Sequence, residues 1–266
     1  MTTLMLALLA FAADTAPITD ESLRLEALRA VFPSMPVVAV PGKRVKARER
    51  DWKSVIPFPD AMAGEPVYRV TGKPRNEVER CNADRGMKRP SVVREVALRL
   101  YAWPRLSTDF VAILQYEFAD ASATMPCSSI GMIVHLSGRA EKLEATEEFL
   151  METEHHWSLP GIQLVDLTDD GIEELVVESD IGGAYISASN LYIFDLSRGR
   201  LNLRAETSSH VVRLEPSHEE ESASVLDITR SRSFAGAKFC FVETAYKKLT
   251  PLRAKRVCIP ARDNLK

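Results

Sequence analysis

Between Leu143 and Ser197 the chain has no lysine and no arginine, yet thirteen aspartates and glutamates fall there. The rest of the chain holds 24 acidic and 34 basic residues, so a formal net charge of -3 conceals a strong asymmetry. No Cys-x-x-Cys pair occurs among the four cysteines, which argues against a zinc ribbon or a thioredoxin-like centre. Gly-x-Ser-x-Gly, His-Glu-x-x-His, Walker A and dinucleotide loops are all missing, and with them the commonest signatures of hydrolases and nucleotide binders. Beyond the N-terminus no apolar run reaches bilayer-spanning length, so no stable membrane span is expected.

What is present suffices for a folded core: 266 residues, 45% of them apolar. Leu4 to Ala13 is an unbroken apolar run, and Ala10-Phe11-Ala12 offers a small-x-small cleavage pattern. No Lys or Arg precedes that run, which leaves the positive n-region to the amino terminus alone or points to a true start upstream. Residues 1–12 read as a signal peptide, and the protein as secreted or periplasmic. Cys81, Cys127, Cys240 and Cys258 fit that compartment as two disulfides, although four buried thiols would suit a cytosolic chain. Cys240 and Cys258 sit in strand-like runs joined by one connection. That favours their pairing and leaves Cys81 to Cys127.

Thr19 to Phe32 is the clearest helix. Thr19 or Asp20 caps it, Pro33 stops it, and Leu25, Leu28 and Phe32 form one apolar stripe. Residues 34–90 are rich in Pro, Lys and Arg, with a short strand expected at Glu65 to Thr71. From residue 91 the period becomes two. Val92, Val96, Leu98 and Leu100 alternate with Glu95 and Arg99, and Phe110 to Phe118 reads as a central strand. Further strands are expected at 130–136, 143–154, 162–165, 174–178, 191–195, 201–205, 210–214, 224–228, 238–244 and 256–259. The glutamates of 141–152 would also suit a helix. The expectation is a mainly β fold, antiparallel, with one N-terminal helix. Its parts are a helix and irregular basic region at 13–90 and a β-rich domain at 91–266.

Asp166-Leu-Thr-Asp-Asp-Gly-Ile-Glu-Glu-Leu175 places oxygen-bearing side chains at positions 1, 3, 5 and 9, with glycine at 6. A hard cation such as calcium needs several oxygens at once, and the glycine permits a sharp turn. An EF-hand is ruled out because position 12 is Val177, inside an apolar strand, where a bidentate glutamate is required. A β-hairpin fits, entered by Ile162 to Val165 and left by Glu174 to Val177. The stretch from Val165 to Leu196 resembles the FG-GAP and VCBS repeats, whose calcium hairpins also occur in integrin α-subunit propellers. The resemblance implies calcium ligands at Asp166, Thr168, Asp170, Ile172 through its carbonyl, and Glu174. Thr168, Asp169 and Glu174 stand where the family pattern has Asn, Gly and Asp. The match covers about one supersecondary unit with no second copy, so a full propeller is not expected. Plain turn chemistry also accounts for Asp169-Asp170-Gly171.

Two other features carry charge or titratable groups. His155-His156 would point to opposite faces of a strand and so could not chelate together, while His135, His210 and His218 have no partner at ligand spacing. The run Lys43-Arg44-x-Lys46-x-Arg48-x-Arg50-x-Trp52-Lys53 suits an extracellular polyanion rather than nucleic acid, or an edge strand whose charges discourage aggregation. These observations describe an exported binding or structural module with a calcium-type loop and a protein or polyanion partner. The alternative is a secreted hydrolase whose site is assembled from distant residues.

Overall fold

The computed structural model describes residues 16–46, 62–76, 79–80, 91–103, 106, 108–118, 129–151, 161–166, 173–182, 186–196, 199–212, 222–227, 233–234, 238–247 and 250–260. Residues 1–12, expected to be a signal peptide, and Cys81, Cys127, His155, His156 and His218 lie outside them.

Helix α1 (Glu21–Val31) begins where Asp20 accepts a hydrogen bond from the Leu23 amide at 2.8 Å and ends at Phe32, whose N–H bonds Leu28 O. It buries Ala27, Leu28 and Val31, and Phe32 is buried with them. Strands β1 (Val37–Arg44), β2 (Pro66–Gly72), β3 (Val92–Ala102), β4 (Asp109–Phe118), β5 (Ser129–Arg139) and β6 (Lys142–Met151) form an antiparallel meander in sequence order. β1 and β2, from the basic region, are thus hydrogen-bonded into the same sheet as β3. The glutamate-rich 141–152 segment is the edge strand β6, not a helix; its alternation sets Leu143 inward against exposed Glu144.

The second sheet contains β7 (Gly161–Val165), β8 (Glu174–Gly182), β9 (Ile186–Asp195), β10 (Asn202–Val212), β11 (Ser222–Asp227), β12 (Ser233–Phe234), β13 (Lys238–Lys247) and β14 (Thr250–Pro260). Its order is β12-β13-β11-β10-β9-β8-β7, with β14 on β13. Both sheets are open, and the described strands close no barrel or propeller. The two segments expected at 201–205 and 210–214 are one strand, since β10 pairs with β9 from Asn202 to Val212.

The first sheet is the middle of three layers, and the period of two explains why. Tyr68, Val96, Leu98, Leu114, Tyr116, Met132 and Val134 pack against α1. Ala97, Tyr101, Val111, Ile113 and Ile133 face the other way, against Leu175, Val177, Tyr192 and Phe194 of the second sheet. With both faces covered, β4 has few polar positions left, which accounts for its nearly continuous apolar run. Two polar bonds join the sheets at their rims: Trp103 Nε1 donates to Leu196 O at 2.8 Å, and the Leu201 amide donates to Glu147 at 2.6 Å.

Candidate functional site

Four residues lie in one row across four strands. Arg69 of β2 pairs in register with Glu95 of β3, Glu95 with Glu117 of β4, and Glu117 with Ser129 of β5. The row continues the face that carries Ala97 and Ile113, away from the helix. Like charges directly opposite on adjacent strands are unfavourable, so the Glu95–Glu117 pair is costly unless something compensates it.

The compensation comes from β1. From Ala39 to Arg44 this strand advances five residues while β2 advances two, from Tyr68 to Pro66, so β1 bows out of the ladder. Gly42, at φ +71°, makes the turn; nothing lies within 4 Å of where its Cβ would be, so the need for glycine is conformational. The bow sets the Lys43 ammonium on Glu95 Oε2, and Arg69 Nη2 lies 3.4 Å from Oε1. Arg44 donates to Gly64 O at 2.7 Å. Between the bow and the sheet is a cavity of about 460 Å³ lined by Lys43, Arg44, Lys46, Glu95, Glu117 and the apolar floor of Val67 and Ala97. That volume is in the range of small-molecule sites.

The two carboxyls have opposite proton affinities. Burial alone would raise Glu95, but hydrogen bonds and charge from Lys43 and Arg69 outweigh it and hold the group below the usual carboxylate range. Glu117 is pushed up to about 7, first by burial and then by the Glu95 charge, with only partial relief from Lys43. The cavity therefore sets a carboxyl whose ionised form is favoured beside one whose proton is held more tightly, under three basic side chains.

Two other polar clusters are braces. A bulge in β6 opposite His135 makes Thr146 the extra residue, which sends both Thr146 and Glu147 to the face of the second sheet. His135 Nε2 donates to Asp109 Oδ2 at 3.0 Å, its Nδ1 shares a 2.9 Å bond with the Thr146 hydroxyl, and its ring lies 4.1 Å from Trp103. Asp109 also accepts from Ser137 and Thr108. Burial would raise Asp109, yet these donors hold it low. On the helix side, Arg94 Nε and Nη2 bond both oxygens of Glu79 at 2.9 and 2.5 Å, and both side chains are fully buried. Tyr116 donates to the same carboxylate at 2.9 Å, so Glu79 is fastened to the sheet from both β3 and β4.

The hairpin expected around the acidic loop is formed: β7 and β8 pair antiparallel from Gly161–Glu178 to Val165–Glu174. Asp166 leaves β7 and buried Glu174 begins β8, while Thr168, Asp170 and Ile172 lie outside the described residues. Burial raises the neighbouring Glu173, and the charge of Asp166 raises it further. Among the described residues no three His, Cys, Asp or Glu side chains converge as a metal centre. Of the basic run, the structure describes Lys43, Arg44 and Lys46 and brings all three to the cavity.

Glu95 and Glu117 carry no sequence motif. Glu117 lies twenty-two positions after Glu95, and Glu95 reads simply as the polar side of an alternating strand. The available signal was Glu117 itself, a charge near the end of a strand that is otherwise almost wholly apolar.

No family model, no curated protein and no solved structure matches the chain. Cys240 and Cys258 form the expected disulfide between facing residues of β13 and β14, which fits an oxidising compartment. No helix among the described residues is long and apolar enough to cross a membrane.

Proposed function

We propose that the protein is an exported binding module that takes the acidic groups of an extracellular polyanion in the cavity over β3 and β4. The observation that carries this reading is the convergence of Lys43, Arg44 and Lys46 on one cavity of small-molecule size. All three side chains are exposed, as on a charged edge strand, but the bow of β1 sets Lys43 on Glu95 and the following residues line the same cavity. The Cys240–Cys258 disulfide supports the exported setting. On the FG-GAP resemblance, Asp166, Thr168, Asp170, Ile172 and Glu174 hold a calcium ion that tightens the β7–β8 hairpin without entering the cavity. The test is titration of a fluorescent oligogalacturonate and of a heparin fragment. Lys43→Ala with Lys46→Ala should weaken binding about tenfold, because it removes two cations and frees the Glu95 charge to repel the ligand. Failure of both probes to bind would sink the reading.

A hydrolase is the second reading, favoured by the split proton affinities of Glu95 and Glu117. Against it, Lys43 and Arg69 occupy Glu95 and lower its basicity, which does not suit a general base. Release of shortened sugars from the same oligosaccharides would establish turnover.

A further inference from the structure

We infer that Glu117 binds its ligand in the protonated form, as the hydrogen-bond donor that makes the pocket choose a carboxylate over a sulfate ester. The inference rests on the polyanion reading of the cavity and names the anionic group it selects.

The argument begins with what faces Glu117. From β1 come Lys43 and Arg44, and from the segment after it Lys46; from β2, Val67 in the cavity and Arg69 paired with Glu95; from β3, Glu95 and Ala97; and from β5, Ser129 opposite in register. No residue of the second sheet lines the cavity among those described. Lys43 and Arg69 are already engaged by Glu95, and the residue paired with Glu117 in register is that same carboxylate, whose partners favour its ionised form. An anion entering beside the Lys46 rim adds a second negative charge next to Glu117. Both charges favour the neutral carboxyl, and a neutral carboxyl has one O–H to donate. With the O–H donated, the anion gains a partner where an ionised Glu117 would repel it. A carboxylate is the more basic acceptor and takes such a bond more strongly than a sulfate ester does.

The consequence is proton uptake on binding. If only protonated Glu117 binds, and its free value lies at about 7, affinity falls about tenfold between pH 6 and pH 8. Oligogalacturonate stays ionised throughout that range, so the slope belongs to the protein.

The experiment is calorimetric titration of oligogalacturonate and of a size-matched dextran sulfate at pH 6, 7 and 8, with wild type and E117Q. The expected result is tighter binding of the carboxylated probe and a tenfold loss by pH 8 in wild type. E117Q, which keeps a neutral donor, should lose that slope. Repeating the wild-type titration at pH 8 in buffers of different ionisation heat should show uptake of about one proton, a readout that does not depend on the variant folding. Binding of either probe with a flat pH profile, or a slope retained in E117Q, overturns the role of Glu117 and leaves the pocket reading intact. Equal affinity for the sulfated probe overturns the selectivity. No binding of either probe at any pH overturns both.

Discussion

Glu95 and Glu117 face each other across β3 and β4 with the Lys43 ammonium resting on only one of them. The fold therefore keeps one carboxyl ionised and forces its neighbour toward the neutral form, and stability should record this. Glu117 has a folded value of about 7, above that of an unfolded glutamate. Below the unfolded value both states are protonated and nothing is lost. As pH rises, the unfolded chain ionises first, so stability falls until Glu117 also ionises. Wild type should lose about 1–2 kcal/mol relative to E117Q between pH 4.5 and pH 8, less than full linkage because the carboxyl is part-exposed. Urea denaturation of both proteins across that range measures it, and parallel curves would refute it.

Arg94 and Glu79 make the opposite kind of pair, buried without residual exposure and satisfied at both oxygens. Glu79→Gln leaves the Arg94 guanidinium without its counter-charge and should cost about 3–5 kcal/mol. Adding Arg94→Met should restore part of that loss, because the desolvated cation is removed as well. A double variant as unstable as the sum of its singles would show that the two residues act independently.

How legible these features were depends on the range of the interaction behind each. The helix was readable because Asp20, Leu28, Phe32 and Pro33 act within a few residues of one another. β4 was readable because burial on both faces leaves an apolar run in the sequence. β10 read as two strands because Thr207, Ser208 and Ser209 look like a break, whereas their pairing with Leu191, Asn190 and Ser189 is decided by the neighbouring strand. The cavity was hidden for the same reason. Lys43, Glu95 and Glu117 meet through a bow in β1 and a strand register that no local pattern encodes. Arg94 shows the limit of alternation in the other direction: it lies on the helix face among Val92, Val96 and Leu98, and Glu79 makes it tolerable there.

The Cys240–Cys258 disulfide joins facing residues of the outer hairpin across a sequence separation of 18. A cross-link of that span should stabilise by about 3 kcal/mol in the chain-entropy account. Cys240→Ser with Cys258→Ser should lower the denaturation midpoint, with amide exchange rising in β13 and β14 ahead of β3 and β4. Uniform exchange through both sheets would indicate that the disulfide supports the whole fold.

The β7–β8 hairpin supplies the last prediction. Asp166 and Glu174 bracket a loop that also contains Asp169 and Asp170, and no lysine or arginine occurs between Leu143 and Ser197 to offset them. Glu173 already responds to the Asp166 charge by holding its proton more tightly. A bound calcium ion would remove that repulsion and stabilise the folded chain by mass action, by about 2.7 kcal/mol at a hundredfold excess over Kd. Calcium added to chelated protein should therefore raise Tm. Asp170→Asn should abolish most of the rise, while Glu95→Gln, on the other sheet, should leave it unchanged. An unchanged Tm in wild type would mean that Asp169-Asp170-Gly171 is only a turn, and that the acidic segment keeps its charge for some purpose other than calcium.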